Sequence, residues 1–167
     1  MSHAPIEPVL MQRRGDAVTA EISRYFDEEP QALWSALTDP AIRINWLAPG
    51  DIDLHVGGRA HLDFADSGIV VDSAVTAVKP GEVLEFSWSA PGEPLRPLRW
   101  EIDAAPEGAR LTLKMVLPAA EDVGRSCAGW SAHLEMMAAA LAGAPMKFPF
   151  DRFKTARDTY RAQYAGA

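Results

Sequence analysis

The chain has 167 residues, of which 48% are hydrophobic and 23% are charged, values typical of one globular domain that exclude wholesale disorder. Its 16 basic and 23 acidic residues give a net charge of −7, and the basic residues are scattered, which excludes a nucleic-acid binder. No apolar run approaches the roughly 20 residues of a membrane-spanning helix, so no membrane association is expected.

The N-terminal segment is predicted to contain a loose lead-in followed by a strand. Residues 1–16 include Pro5 and Pro8 and show little periodicity, so no regular element is predicted there. From residue 17 to residue 26, apolar and polar side chains alternate with a period of two. This period indicates a strand with one buried face.

Two short helices are predicted after this strand. Pro30 is suited to the first turn of a helix, and the apolar spacing continues it to residue 38. Asp39-Pro40 ends that helix, because the residue before a proline avoids helical backbone angles. A second short helix is predicted over about 40–46.

The middle of the chain is predicted to form an antiparallel meander of six strands. The strands are expected over about 51–56, 59–65, 69–78, 83–89, 95–103 and 109–117. Turn-forming residues separate them: Gly57-Gly58, Asp66-Ser67-Gly68, Pro80-Gly81, Pro91-Gly92 and Pro106-Glu107-Gly108. Connections this short favour antiparallel pairing, because parallel strands need crossover segments.

The turn at Gly57-Gly58 allows a prediction of strand register. A strict two-residue loop would mix apolar and charged side chains on both faces of the hairpin. A three-residue bulged turn instead pairs Leu54 with Ala60 and Ile52 with Leu62. Since only this register keeps one face apolar, we predict the bulged turn.

Two helices are predicted at the C-terminal end. The first, over about 121–142, carries an apolar stripe formed by Cys127, Trp130, Leu134, Met137 and Leu141. The second, over about 151–164 with Asp151 as its N-cap, carries the aromatic residues Phe150, Phe153, Tyr160 and Tyr164. This aromatic stripe is expected to pack on the outer side of the long helix near Met136 or on a second subunit.

Several local motifs occur in an order that resembles one known family. They are Ile22-Ser23-Arg24-Tyr25-Phe26, Leu33 to Pro40, Trp46, Asp53 to Arg59, Phe86-Ser87-Trp88 and Gly129-Trp130. Together they resemble the activator-of-heat-shock-protein-90-ATPase-homologue-like branch of the SRPBCC, or START-like, superfamily. The resemblance covers about residues 17–143, which are expected to form the domain, with 144–167 as a helical extension.

The resemblance implies an α+β helix-grip fold, in which a curved antiparallel sheet of about seven strands wraps around the long helix. It also implies a cavity between sheet and helix that holds a small hydrophobic molecule. The five tryptophans at predicted inward positions favour a roomy interior, although they could equally fill the core. The candidate ligand-binding residues are Arg24, Trp34, Trp46, Leu54, Phe64, Phe86, Trp88, Trp100, Leu113, Trp130, His133, Leu134 and Met137.

The polar candidates each have a structural and a functional interpretation. His133 lies beside the apolar stripe and could transfer protons, but a structural hydrogen bond is the more common role of such a histidine. Arg24 shares the inward parity of its strand, so it either pairs with Asp72 or Glu101 or anchors an acidic ligand group. Cys127, the only cysteine, is predicted to be a buried thiol.

No catalytic motif, metal site or cofactor site is predicted. The chain lacks a G-x-S-x-G nucleophile elbow and a phosphate-binding loop. His55, His61, Asp53 and Asp63 include metal-ligating types, but the predicted register places them on the outer face, where a solvated charged surface is expected.

The first functional hypothesis is therefore a small hydrophobic ligand-binding protein without a cofactor. A cyclase-, aromatase- or hydrolase-like enzyme acting on an aromatic or polyketide-like substrate is the alternative, and a chaperone-associated interaction protein is the second alternative. The single cysteine and the lack of an apolar leader favour a cytoplasmic protein. A homodimer is expected if the C-terminal aromatic residues find no partner within one chain.

Overall fold

The computed structural model describes residues 6–64 and 68–166, and within these ranges it contains eight strands and four helices. The strands are β1 (Val9–Arg14), β2 (Ala17–Phe26), β3 (Gly50–Ile52), β4 (Arg59–Phe64), β5 (Ile69–Lys79), β6 (Val83–Ser87), β7 (Pro97–Ala105) and β8 (Gly108–Pro118). The helices are α1 (Pro30–Thr38), α2 (Pro40–Arg43), α3 (Val123–Leu141) and α4 (Phe150–Ala165).

The strands form one antiparallel sheet in the order β1-β2-β8-β7-β6-β5-β4-β3. The first predicted strand, β2, pairs with the last, β8, and the remaining strands follow as a meander. The α+β fold predicted from the resemblance is confirmed, with a long helix, α3, against an open sheet. No helix in the described part of the chain is long and apolar enough to cross a membrane.

Strand β1 lies where the sequence predicted only a loose lead-in. It pairs with β2 from Val9 opposite Ile22 to Arg14 opposite Ala17. An edge strand pairs on one side only, and in β1 Val9 alone is fully buried, so the hydrophobic alternation in the sequence is weak. The sheet therefore has one strand more than the seven expected.

The predicted register of the hairpin between β3 and β4 is wrong by two residues. Ile52 pairs with Ala60 rather than with Leu62, and residues 53–58 form a longer loop. Internal hydrogen bonds hold this loop, including one from the Asp53 N–H to the Arg59 carbonyl at 2.9 Å. The shift is an even number of residues, so Ala60 and Leu62 still face the core, whereas Leu54 falls outside the paired residues.

Smaller differences concern the ends of elements. Helix α2 ends at Arg43 rather than near residue 46. Helix α4 begins at Phe150, so Asp151 lies in its first turn and is not the N-cap. Three residues of the predicted strands and turns lie outside the described residues. They are Ala65, the predicted end of the strand that corresponds to β4, and the predicted turn residues Asp66 and Ser67.

The hydrophobic core lies between α3 and the inward face of the sheet. Each long strand contributes alternate side chains to this face, and α3 contributes its apolar stripe, in which Cys127, Leu134 and Met137 are fully buried. Helix α4 packs on the other side of α3 and buries Ala156 and Tyr160. Three residues of the C-terminal aromatic stripe thus pack within the same chain, namely Phe153, Tyr160 and Tyr164, whereas Phe150 is 65% exposed.

Gly124 allows the close approach of α3 and α4. A Cβ atom at this position would lie 2.6 Å from the backbone nitrogen of Arg161, whereas a Cβ at Gly129 of the same helix would meet nothing within 4 Å. Because backbone atoms cannot move aside as a flexible side chain can, only Gly124 is required by the packing of the two helices.

We predict that Gly124→Ala lowers the free energy of unfolding by about 1–3 kcal/mol, since α4 must shift away from α3. Gly129→Ala is the matched control. It should leave stability unchanged or raise it by up to about 1 kcal/mol, because alanine favours the helix. Denaturant titration of both variants measures the difference, and equal stability of the two would contradict this account of the packing.

Candidate functional site

Seven rings in contact between the sheet and α3 form a group that we call the aromatic cluster. Phe150 and Phe153 of α4 contact its last ring, Phe148. Alternation along β7 turns Trp100 inward, and helical spacing places Trp130 and His133 of α3 on one face. The remaining rings come from segments at the edge of this layer: Trp46 after α2, Phe64 at the end of β4, Trp88 after β6 and Phe148 before α4.

The inner part of the aromatic cluster is a row of edge-to-face tryptophans. The ring centroids of Trp46 and Trp100 are 5.9 Å apart, and those of Trp100 and Trp130 are 5.6 Å apart. Trp130 also contacts Trp88 at 4.7 Å. These distances lie in the range of favourable aromatic pairs, and Trp46 and Trp100 are almost completely buried.

The outer part of the aromatic cluster reaches the surface. Phe64, Trp88, His133 and Phe148 are half-buried, and Phe64 contacts Trp88 at 5.6 Å and His133 at 6.0 Å. The Phe148 ring lies 5.6 Å from that of His133. The aromatic cluster is therefore closed at the Trp46 end and accessible at the Phe148 end.

The sequence left open whether the tryptophans enclose a cavity or fill the core, and the rings of the aromatic cluster bear on this question. Successive rings contact one another from Trp46 to Phe148, so at this point the tryptophans fill the interior. A guest molecule could enter only if the half-buried rings at the outer end moved apart. Binding would then break contacts between those outer rings, and this loss would oppose binding.

His133 is held by a hydrogen bond to the main chain. Its Nδ1 lies 2.8 Å from the carbonyl oxygen of Trp46, and because a carbonyl only accepts, Nδ1 carries the proton. Burial lowers the pKa of His133 below its usual value, against a smaller opposite effect of the Trp46 carbonyl. The imidazole is therefore neutral near pH 7, with a lone pair on Nε2.

This geometry suits hydrogen-bond acceptance better than proton transfer. In a catalytic histidine the proton on the second nitrogen usually bonds to a carboxylate, which stabilises the imidazolium. Here the partner of Nδ1 is a carbonyl, and burial disfavours the charged form.

Two arginines position the aromatic cluster, and neither was predicted from the sequence. Arg43 is 1% exposed, and its guanidinium donates to the carbonyls of Leu37 at 2.9 Å and Gly50 at 2.6 Å, bracing the segment that contains Trp46. Burial lowers the pKa of Arg43. Arg96 pairs with Glu121 at 2.7 Å, just before α3, and its carbonyl accepts from the Trp88 N–H.

Arg24 lies apart from the aromatic cluster, and its predicted partners are wrong. It pairs with Glu7 at 3.1 Å. Asp72 instead pairs with Arg59 at 2.9 Å, and Glu101 pairs with Arg99 and Lys114. Both acids lie on the outer face of the sheet, which an inward-facing guanidinium cannot reach.

Leu54 does not face the core, contrary to the sequence analysis. It lies in the loop before β4 and is 42% exposed, because the hairpin register places it beyond the last paired residue. The other predicted residues outside the aromatic cluster are buried in the general core: Trp34, Phe86, Leu113, Leu134 and Met137. Phe148 was missed, since its Phe-Pro-Phe context indicated only the start of a helix.

Cys127 is a buried thiol, as expected. It is completely inaccessible, and burial raises its pKa to about 12. Among residues 6–64 and 68–166, no three side chains of His, Cys, Asp or Glu come together as metal ligands would.

The outer face of the sheet carries a separate open groove of about 550 Å³. Apolar side chains of Leu10 and Val116 line it beside the charged Glu21, Arg99 and Lys114. It lies on the side of the sheet away from α3, because Glu21 and Lys114 pair on the wet face of β2 and β8.

Comparison with known proteins shows one family and several similar structures. Residues 27–142 match the family described as activator of Hsp90 ATPase homolog 1-like protein. No curated protein gives a significant match.

Two similar structures cover nearly all of the chain. The conserved protein of unknown function EF2215 from Enterococcus faecalis has a TM-score of 0.79 at 17% identity, over 95% of this chain and 91% of its own. CalU16 from Micromonospora echinospora has a TM-score of 0.78 at 20% identity, over 96% of this chain and 99% of its own.

DynU16, a protein from the dynemicin biosynthetic locus, is 27% identical with a TM-score of 0.68. The alignment covers 79% of this chain but only 49% of DynU16. Similarity to this structure therefore extends over about half of the larger protein.

The lowered pKa of His133 predicts a pH dependence of stability. Below about pH 6.5 the unfolded state binds a proton that the folded state resists, so the wild type loses stability as pH falls. A His133→Gln variant lacks this effect. The difference in the free energy of unfolding between the wild type and His133→Gln should be constant above about pH 6.5. Below that pH the wild type should lose stability relative to the variant, by at most about 1.4 kcal/mol per pH unit.

Denaturant titrations of both proteins across this pH range provide the measurement. A stability advantage of the wild type that grows as the pH falls would mean that the fold favours the charged imidazole, and it would contradict the hydrogen-bond assignment.

Proposed function

Because the chain belongs to the activator of Hsp90 ATPase homolog 1-like family, a branch of the SRPBCC superfamily, we propose that its aromatic cluster binds a small, flat hydrophobic molecule. The observation that carries this proposal is the outer end of the cluster, where Phe64, Trp88 and Phe148 are only half-buried. Large apolar rings that remain partly exposed together are typical of a binding surface.

The two ends of the aromatic cluster have different parts in this proposal. The indole N–H of Trp46 donates to the Ala36 carbonyl at 2.8 Å. This hydrogen bond holds the ring at the inner end of the aromatic cluster in place. The rings of the outer end come from separate elements: Phe64 ends β4, Trp88 follows β6, His133 lies in α3 and Phe148 precedes α4. A flat molecule that inserts among them replaces ring-to-ring contacts with contacts of the same kind and covers exposed apolar surface.

The enzyme alternative has some support of its own. DynU16 comes from a biosynthetic locus, and His133 presents a neutral imidazole beside the aromatic cluster. An enzyme acting on an aromatic or polyketide-like substrate is therefore the second candidate. A chaperone-associated role stays a prediction, because the aromatic cluster bears neither for nor against it.

Nuclear magnetic resonance of the indole N–H groups tests the proposal, because the five tryptophans differ in position. Adding the methyl ether of β-naphthol should shift the signals of Trp88 and Trp130, since an aromatic guest changes the ring-current field at both. Trp34 lies on α1, outside the aromatic cluster, and serves as an internal control whose signal should hardly move. Single Trp→Phe variants assign the signals.

The same variants provide a test by affinity. Trp88→Phe should weaken binding of the methyl ether by about two- to tenfold, because the smaller ring loses part of one aromatic contact. Trp34→Phe should leave the affinity unchanged. Equal effects of both substitutions, or binding of the methyl ether that leaves the Trp88 and Trp130 signals unshifted, would place binding elsewhere and overturn the proposal.

A further inference from the structure

His133 differs in chemistry from the other six rings of the aromatic cluster. Phenylalanine offers no hydrogen-bonding atom, and the indole of tryptophan only donates. A neutral imidazole both donates and accepts. Among the side chains of the aromatic cluster, therefore, only that of His133 can accept a hydrogen bond from a guest.

The orientation of His133 is fixed by elements on both sides. Its Nδ1–H donates to the Trp46 carbonyl at 2.8 Å. Trp46 is itself held by its indole N–H on Ala36 and by the bracing of its segment by Arg43. Since Nδ1 is committed, Nε2 is the unprotonated nitrogen, and it lies on the edge of the imidazole away from Trp46.

Two arginines of the described residues, Arg24 and Arg43, lie on the inner side of the sheet or against the core, and both already have partners. Arg24 forms an ion pair with Glu7, and the guanidinium of Arg43 donates hydrogen bonds to two main-chain carbonyls. A carboxylate buried among the rings would carry a large desolvation cost without a compensating charge.

Three charged groups on the described elements packed around His133 face away from it, form an ion pair or are exposed to solvent. Asp63 of β4 has the opposite strand parity from Phe64, so it faces the other side of the sheet. Glu135 of α3 pairs with Arg152 of α4 at 3.1 Å, and Lys147 before α4 is exposed. Burial and the Trp46 carbonyl alone move the pKa of His133.

We propose that the guest of the aromatic cluster is an uncharged aromatic molecule with a phenol-type hydroxyl, which donates a hydrogen bond to Nε2 of His133. This inference rests on the proposed function and adds the chemical class of the ligand. The rings supply affinity for the flat skeleton. His133 selects the hydroxyl because its Nε2 acceptor loses its water without replacement when a guest that has no donor covers it.

A matched pair of probes tests this without altering the protein. β-Naphthol carries the hydroxyl, and its methyl ether has the same ring system without a donor. The wild type should bind β-naphthol about three- to tenfold more tightly, the value of one neutral hydrogen bond. Isothermal titration calorimetry at pH 7.5 measures both dissociation constants.

Two variants separate the nitrogens of His133. In His133→Asn the amide takes the place of Nδ1, so it can still donate to Trp46 but offers no acceptor at the position of Nε2. In His133→Gln the amide oxygen reaches the position of Nε2. The preference for β-naphthol should vanish in His133→Asn and be retained at least in part in His133→Gln.

The preference should persist at pH 6.5 and disappear only at lower pH, because burial lowers the pKa of His133 and protonation of the imidazole below that pKa consumes the lone pair. Equal affinity of the wild type for the two probes overturns this inference and leaves the proposed function intact. If neither probe binds, both this inference and the proposed function are overturned. A hydroxyl preference that survives in His133→Asn and at low pH assigns the selection to another group and also overturns the inference.

Discussion

The packing of Trp130 against both Trp88 and Trp100 joins the helical layer of this protein to its sheet. The indole of Trp130 contacts these rings at 4.7 and 5.6 Å and is 7% exposed. A buried tryptophan removes about 150–250 Å² from water, so such a side chain makes a large contribution to the position of α3 on the sheet. Once α3 is placed in this way, the face that bears Trp130 also bears His133.

The same placement determines the chemistry of His133. Helical spacing turns the imidazole toward the segment after α2, where the Trp46 carbonyl accepts its Nδ1–H. That carbonyl is available because α2 is only four residues long and ends before Trp46. Burial then keeps the ring neutral, and a neutral ring with one committed nitrogen is a directional acceptor rather than a charged group.

Helix α4 supports this arrangement from the opposite side of α3. Gly124 lets the two helices approach closely, and the hydroxyl of Tyr160 donates to the carbonyl of Glu7. Gln163 donates to the Val9 carbonyl at 2.6 Å. The C-terminal helix thereby ties the edge strand β1 to the rest of the domain.

Local patterns in the sequence were sufficient for most of the fold and for part of the aromatic cluster. Turn residues and alternation predicted seven of the eight described strands, and helical periodicity predicted that Trp130 and His133 share a face, because these signals depend on neighbours along the chain. Strand β1 could not be predicted because an edge strand buries few side chains. Leu54 was misplaced because hydrogen bonds within its loop, rather than hydrophobic pattern, set where the hairpin pairing ends.

The amino-acid sequence by itself thus determined the layers of this protein and which side chains face inward, since burial follows the period of each element. Only the tertiary structure decided that the Phe148 ring packs on His133, that Arg24 pairs with Glu7, and that Trp46 packs on Trp100 in the interior. Those outcomes depend on the distance between elements once they are packed, and no local period encodes that distance.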